Sequence, residues 1–158
     1  MLFRRLRRLH TDKKIVIGML GGVALAFGLM QFWPLNRDNP EVVTEPEWDS
    51  AQTQQLAERA CFDCHSNETY WPWYTAIVPV GNLIVGDVER GRETLNFSEW
   101  EATCCTLEQI DDTAAIVNTG EMPLPYYVII HPESRLSTVE RGQLVNGLIE
   151  TMNTALQE

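Results

Sequence analysis

A five-residue motif, Cys61-Phe62-Asp63-Cys64-His65, restricts the fold of this chain more than any other feature. It has the C-x-x-C-H pattern that attaches haem c covalently. Two thiols at this spacing reach the two vinyl groups on one edge of a porphyrin, and the adjacent histidine is directed at the iron. We therefore predict one covalent haem c, attached through Cys61 and Cys64, with His65 as an axial iron ligand. The chain has 158 residues, enough for one modest domain, and a bound haem would form a substantial part of the interior of such a domain.

Two other kinds of site also use a C-x-x-C pair. A thioredoxin-like redox pair calls for a βαβ pattern around the motif, which the sequence does not offer. A zinc site calls for a second pair of ligands, whereas Cys104 and Cys105 are adjacent and His131 is the one remaining histidine after the motif. The haem interpretation is therefore preferred.

The N-terminal segment has the composition of a membrane anchor. Residues Ile15–Trp33 contain Gln31 as their only strongly polar side chain. As a helix they would span about 28 Å, close to the thickness of a bilayer's hydrocarbon core. We predict a transmembrane helix at 15–34. A cleaved signal peptide is the alternative, because Ala24-Leu25-Ala26 has the form of a cleavage site, but cleavage there would leave an apolar N-terminus.

Charge is divided unevenly between two segments. Residues 1–14 carry six basic and one acidic side chain, a net charge of +5, and the rest carries six basic and 21 acidic side chains, a net charge of −15. The positive-inside rule then places residues 1–14 in the cytoplasm and the acidic remainder on the other side of the membrane. An acidic domain repels nucleic acid and is attracted to basic surfaces, so we expect redox proteins with basic docking faces as partners.

The remaining sequence predicts a mainly α fold with long loops. Residues 35–49 are rich in Pro, Glu, Asp and Asn and are predicted as an exposed linker, which leaves residues 50–158 as one haem c domain. Helix-start signals occur at Ser50, Ser98-x-x-Glu101 and Ser137-x-x-Glu140.

Apolar spacing predicts where these helices run. The first leads into Cys61, and the second ends near Gly120. Prolines predict loops at 71–79 and 122–132. The second helix has an apolar stripe of Trp100, Cys104, Leu107, Ala114 and Val117, and the third has one of Val145, Leu148, Ile149, Met152 and Leu156.

A haem in an electron carrier normally takes a second protein ligand, and three side chains are candidates. Met122 lies in a proline-stiffened loop, which can hold a weak thioether ligand at small entropic cost. His131 is the rival, since imidazole is the stronger ligand. Met152 falls on the apolar stripe of the last helix, where a core role is favoured. We predict Met122 and keep His131, or an open sixth position, as alternatives.

Six sequence blocks occur in order along residues 50–150: Cys61-x-x-Cys64-His65-Ser66-Asn67, Trp71-Pro72-Trp73-Tyr74, Gly91-Arg92, Leu95-Asn96-Phe97-Ser98-x-Trp100, Gly120-x-Met122-Pro123 and His131-Pro132. Together they resemble the bacterial haem-binding domain family of membrane-anchored c-type cytochromes. The resemblance implies a small helical domain on the periplasmic side of the inner membrane, with Met122 as the distal ligand. Leu124 departs from the family pattern, where a second proline is common, and Cys104-Cys105 do not belong to it.

Further residues receive predicted roles near the cofactor. Trp71, Trp73 and Tyr74 are predicted to wall the haem, with ordinary core packing as the alternative. Arg92 is predicted to pair with a haem propionate, although a solvated arginine is equally common.

The adjacent cysteines are interpreted as unpaired. Cys104 is predicted to be a small buried hydrophobe on a helix, because neighbouring helical positions point about 100° apart and do not reach disulfide geometry. Cys105 has no predicted role.

The expected function is single-electron transfer in a respiratory or photosynthetic chain, with no substrate chemically transformed. A haem sensor or peroxidase with an open sixth ligand is one alternative. A haem subunit fixed in a larger membrane complex is another.

Overall fold

The computed structural model describes the backbone of residues 2–157 and the side chains of residues 13–157. Within this range the chain is 67% helical and has no β-strand, which confirms the mainly α fold class. The basic side chains at positions 4–8, on which the prediction of a cytoplasmic segment depends, lie outside the described residues. The helices are α1 (Leu2–Met30), α2 (Ala51–Ala60), α3 (Phe62–His65), α4 (Val80–Thr94), α5 (Trp100–Thr103), α6 (Leu107–Thr119), α7 (Pro125–Ile130) and α8 (Thr138–Gln157), with 3₁₀ turns at Trp73–Ala76 and Pro132–Ser134.

The chain divides into two compact units. The first consists of residues up to 36 together with 72–85, and it contains α1 and the beginning of α4. The segment Lys13–Met30 of α1 is long and apolar enough to cross a membrane, and none of it is buried. The predicted apolar helix is therefore present. It ends at Met30, a few residues before the predicted boundary at 34.

The second unit consists of residues 37–71 and 86–158. Its core is formed chiefly by α2, α6 and α8, where Ala57 and Leu144 have no exposed surface. Burial of a leucine or methionine side chain of this kind stabilises the fold by about 1.5–3 kcal/mol. The predicted stripe of α8 is largely confirmed, since Val145, Leu148 and Met152 are buried.

The unit also holds part of the segment predicted as linker. The Val43 amide donates to the Ser98 carbonyl (2.8 Å), and Thr44 forms an isolated bridge with Glu99.

The helix-start signals at both ends of this unit are confirmed. The Ser50 hydroxyl accepts from the Thr53 amide (3.2 Å) and caps α2. Before α8, the Ser137 hydroxyl accepts from the Glu140 amide (3.2 Å) and the Glu140 carboxylate accepts from the Ser137 amide (2.8 Å). This reciprocal pair is a capping box.

The predicted helix from Ser98 to Gly120 is wrong in its first half. Ser98 does not cap a helix, because its hydroxyl instead accepts from the Asn67 amide (3.0 Å). A four-residue α5 forms, the backbone becomes extended at Cys104, and α6 begins anew with Thr106 as its cap. The predicted end is right: Gly120 has φ 81°, the left-handed conformation that glycine adopts without strain.

Two further helices were not predicted from the sequence. Helix α4 contains Gly81, Gly86 and Gly91, which lower its intrinsic helix propensity, so its formation depends on tertiary packing. Helix α7 replaces part of the loop predicted at 122–132. Its only proline, Pro125, occupies the first helical position, where the missing amide proton is not needed.

Candidate cofactor site

The C-x-x-C-H motif lies where α2 ends and α3 begins. Cys61 closes α2 with its amide donating to the Ala57 carbonyl (2.8 Å). The amides of Cys64 and His65 then both donate to the Cys61 carbonyl, at 3.1 and 2.9 Å. This tight turn holds both cysteines and the histidine on one short stretch of backbone, and all three side chains are half-buried.

Helix α4 packs directly against this turn through Gly91. A Cβ atom built at Gly91 would overlap the Cys64 carbonyl oxygen, so the two backbones are too close for any side chain. The glycine therefore has a steric function: it lets α4 support the motif from one side.

His65 is oriented by a hydrogen bond to the backbone. Its Nδ1 lies 3.0 Å from the Leu95 carbonyl oxygen, which only accepts, so Nδ1 carries the proton. Burial lowers the pKa of His65 and favours the neutral ring. Nε2 is then an unprotonated nitrogen with a free lone pair, the form in which imidazole binds a metal.

The segment that orients His65 is itself fixed by buried polar residues. The Phe97 amide donates to the His65 carbonyl (2.7 Å), and the Asn96 side-chain amide donates to Oδ1 of Asn67 (2.9 Å). Asn67, Asn96 and Ser98 are each at most 2% exposed. Their buried hydrogen bonds hold residues 95–98 beside the motif. Asn67, Asn96 and Ser98 belong to the sequence blocks described above, but the local sequence gave no signal that they would hold this segment in place.

Two adjoining cavities open at the motif. The first, of about 70 Å³, is apolar, and the second, of about 380 Å³, has a more polar lining. They share Ala60, Cys61, His65, Thr94, Ile116, Met122 and Pro123. The first is completed by Leu95, Phe97, Thr113, Val117, Leu136, Leu144 and Leu148. The second is completed by Asp63, Cys64, Asp87, Arg90, Gly91, Leu124, Tyr126 and Tyr127.

Met122 reaches the cavities from the end of α6. Its amide donates to the Ile116 carbonyl (3.1 Å), just after the left-handed Gly120, and the Met122–Pro123 peptide bond is cis. Its side chain lines both cavities together with His65.

The two rival ligands lie elsewhere. The His131 ring stacks on Tyr127 at 4.4 Å between ring centroids, and its Nδ1 lies 3.1 Å from Glu133. Met152 is 1% exposed within the core cluster. Neither residue lines the cavities, so the geometry favours Met122 over both as the second ligand.

Comparison with known proteins bears directly on this arrangement. The sequence model of a family described as "Haem-binding domain" matches residues 25–150, most of the chain. The chain belongs to the haem-binding domain family. No curated protein and no solved structure matched it.

The residues that line the cavities of this haem-binding domain suit the polarity of a haem. A porphyrin has an apolar macrocycle and two charged propionates, and the first cavity has an apolar lining whereas the second adds Asp63, Asp87 and Arg90. The donor set is also appropriate, because imidazole and thioether are common axial ligands of haem iron. Among the described residues, no group of three or more His, Cys, Asp or Glu side chains is placed to hold a metal ion by itself.

The aromatic block predicted to wall the haem does not line the cavities. Trp71 donates from Nε1 to Asn39 Oδ1 (3.1 Å) in the second unit. Trp73 and Tyr74 belong to the first unit, and Trp73 is 78% exposed. The aromatic side chain that does line the apolar cavity is Phe97, which stacks on Phe62 of the motif at 5.2 Å between centroids.

Arg92 is held by backbone and side-chain acceptors rather than placed at the cavity. It donates to the carbonyls of Ser66 (2.8 Å) and Asp38 (3.0 Å), to Asn39 Oδ1 (3.0 Å) and to Thr69 Oγ1 (2.9 Å). These bonds fix the segment that follows His65. Arg92 lines neither cavity, so its position does not support the role predicted for it at a propionate.

The polar side of the larger cavity contains a group that sequence reasoning missed. Arg90 pairs with Asp87, which also accepts from the Tyr126 hydroxyl (2.5 Å). Burial and the hydrogen bond to Asp87 raise the pKa of Tyr126 to about 12, so it is a neutral donor. The Tyr127 hydroxyl donates to Asp63 Oδ2 (2.6 Å). Arg90 is the arginine among the lining residues, and the chain gave no signal for choosing it over Arg92.

The four cysteines after the N-terminal segment behave in two ways. Burial raises the pKa of Cys61 and of Cys64 to about 12, so both are protonated thiols at neutral pH and weak nucleophiles.

The prediction for Cys104 and Cys105 needs correction: they lie between α5 and α6, joined by a cis peptide bond, and are paired as a disulfide. The argument against pairing assumed helical backbone, which is absent there.

Proposed function

We propose that this protein is a membrane-anchored monohaem c-type cytochrome that transfers single electrons between redox partners. The observation that carries the proposal is the donor set of one site: Cys61, His65 and Met122 line both cavities, and Cys64 lines the larger one. The match to the haem-binding domain family supports the cofactor independently.

Each residue of the site has a defined task in this proposal. A bound haem supplies the one-electron change between ferrous and ferric iron. Cys61 and Cys64 would hold it through thioether links, and His65 Nε2 and the Met122 thioether would be the iron ligands. The apolar lining excludes water, and the Leu95 carbonyl keeps the His65 ring in one orientation.

Histidine and methionine ligation raises the reduction potential relative to two histidines. We therefore place the protein near the oxidising end of a respiratory or photosynthetic chain. If His65 and Met122 both serve as iron ligands, no ligand position would remain for a substrate, so we propose an electron carrier rather than an enzyme.

Location and partners follow from the apolar helix and the charge distribution. The helix of Lys13–Met30 would hold the protein in the bacterial inner membrane in a single pass, with the haem domain on the periplasmic side. The excess of carboxylates after residue 14 suits redox proteins with basic docking surfaces.

Covalent attachment is tested by extracting the pigment. The full chain is produced in cells that mature c-type cytochromes and is then treated with acid-acetone. We expect the haem to remain with the protein, and the double variant Cys61→Ser/Cys64→Ser to lose it. The double variant Cys104→Ser/Cys105→Ser is the matched control and keeps its pigment. A colourless wild type, or one that releases haem to acid-acetone, would overturn the proposal.

The electron-carrier proposal is tested separately with carbon monoxide. The reduced protein should not bind this gas rapidly, because the Met122 thioether would occupy the ligand position that carbon monoxide needs. Fast stoichiometric binding would instead indicate a sensor or peroxidase.

A further inference from the structure

An uncharged stretch in the middle of the sequence is not accounted for by the haem site. From Thr69 to Gly86 the chain contains no Asp, Glu, Lys or Arg, although 22% of all its residues are charged. A segment of this length would carry about four charges at that frequency. The stretch is bounded by Glu68 and Asp87, so the absence of charge begins and ends abruptly.

Most of this stretch belongs to the same compact unit as the apolar helix α1. Residues 72–85, which we name the collar, form this unit together with the chain up to residue 36. Gln31 joins the two parts: its Nε2 donates to the Val78 carbonyl (3.0 Å) and its Oε1 accepts from the Val78 amide (3.1 Å). Gln31 is the one strongly polar side chain of the predicted span, and these bonds give it a partner at the end of the helix.

The collar exposes large apolar side chains. Trp73 is 78% exposed, Leu83 is 52% exposed and Val80 is 43% exposed. Val80 and Leu83 are three positions apart on α4 and share a face of that helix. At the end of α1, Phe32 and Trp33 are also exposed.

Exposed large apolar side chains gathered in one compact unit mark a candidate interaction site. The bilayer is the occupant favoured by the features of this unit. The collar is bound to the end of a helix with the composition of a membrane span, and its tryptophan and tyrosine are the side chains that favour the boundary between hydrocarbon and water. A protein partner of the acidic haem domain would be basic, whereas the collar offers no charge to pair with it.

We propose that the collar is a second membrane contact, inserted into the interfacial layer of the bilayer beside the point where α1 leaves it. The proposal rests on the membrane anchoring stated under the proposed function. Its recognition chemistry is apolar, so it needs no anionic lipid. It also gives Trp73 a role at the lipid surface.

Three matched leucine variants test this placement in the full-length haem protein, reconstituted into phosphatidylcholine nanodiscs. Leu20→Cys lies in the apolar helix, Leu83→Cys in the collar, and Leu107→Cys is an exposed helical leucine of the second unit. Each variant is labelled with a nitroxide at the introduced cysteine. Wild-type protein treated with the same reagent gives the background labelling. Relaxation by oxygen, which concentrates in lipid, is compared with relaxation by a water-soluble nickel chelate.

We expect oxygen to dominate at Leu20→Cys and at Leu83→Cys, and the nickel chelate to dominate at Leu107→Cys. If Leu83→Cys resembles Leu107→Cys while Leu20→Cys is in lipid, the collar proposal is overturned and the anchor stands. If Leu20→Cys is also in water, the anchor fails and the collar proposal fails with it. The haem spectrum of each variant confirms that it has folded.

Discussion

At the scale of single residues, the site depends on which side-chain atoms are not already used in hydrogen bonds within the protein. The Leu95 carbonyl accepts a hydrogen bond from Nδ1 of His65, so Nδ1 carries the proton and Nε2 does not. Arg92 shows the opposite case, since its donors are used by Ser66, Asp38, Asn39 and Thr69. A residue type suited to a cofactor is therefore not sufficient evidence of contact with it.

Met122 gives the sharpest prediction at this scale. Replacement of Met122 by Ala removes the thioether proposed as the sixth ligand. We expect loss of the weak near-infrared band between thioether and iron in the oxidised protein, and a lower reduction potential. Optical spectroscopy and a redox titration measure both quantities.

Two variants serve as controls for this experiment. Met152→Leu changes a methionine that is 1% exposed in the core, and His131→Ala removes the rival ligand. Both should keep the band. Its persistence in Met122→Ala would show that the ligand has been misassigned.

At the scale of secondary-structure elements, close packing decides what local propensity does not. Helix α4 has three glycines and forms nonetheless, because Gly91 allows it to approach the Cys64 backbone. Helix α6 begins at Thr106 rather than at Ser98, because the Ser98 hydroxyl is used by Asn67 in a tertiary contact.

Two glycine substitutions within α4 should have opposite effects. Gly91→Ala introduces a Cβ that overlaps the Cys64 carbonyl oxygen, so we expect a loss of about 1–3 kcal/mol in the free energy of unfolding. Gly86→Ala meets only the flexible end of Arg90 at 3.2 Å, so better helix propensity should leave stability unchanged or raise it by up to about 1 kcal/mol. Urea unfolding of the detergent-solubilised haem protein measures both. Equal effects of the two substitutions would argue against the close approach.

The capping box of α8 predicts a pH dependence. Hydrogen bonding to the Ser137 backbone, and then to Arg59, lowers the pKa of Glu140 to about 2. A carboxyl whose folded-state pKa is depressed stabilises the fold above its ordinary value of 4.5, and this contribution is lost as the pH falls from there toward 2. Glu140→Gln should therefore be less stable than the wild type at pH 7, with the difference shrinking in acid.

Thermal unfolding between pH 7 and pH 2 measures this difference. Glu150→Gln is the control, because it makes the same change in net charge on the same helix away from the cap. A gap between Glu140→Gln and wild type that stays constant across this range would contradict the assignment.

At the scale of the whole molecule, charge separates the chain into a basic start and an acidic remainder. The net charge of −15 after residue 14 predicts long-range attraction of cations to the haem domain. Salt screens such attraction, with a Debye length of about 10 Å at 0.1 M.

Small inorganic oxidants can test this prediction in place of a redox protein partner. Electron transfer from the reduced protein to a cationic cobalt complex should slow as salt increases. Transfer to anionic ferricyanide should become faster, because repulsion is screened. Stopped-flow spectroscopy measures both rates, and a salt dependence of the same sign for the two oxidants would contradict electrostatic steering by the acidic domain.

The sequence alone determined those features whose cause is local. The C-x-x-C-H spacing depends on covalent reach, the length of the apolar run on helix rise, and the caps at Ser50, Ser137 and Gly120 on hydrogen bonds or backbone angles within a few residues. Such signals are complete within a short window of chain.

Tertiary structure alone decided the features that depend on distant residues. It placed Phe97 rather than Trp73 at the apolar cavity and Arg90 rather than Arg92 at the larger, more polar cavity, and it paired Cys104 with Cys105 where a continuous helix had been predicted. The physical reason is the same in each case. A side chain's surroundings are set by backbone segments far along the sequence, whose hydrogen bonds and close packing outweigh local propensity.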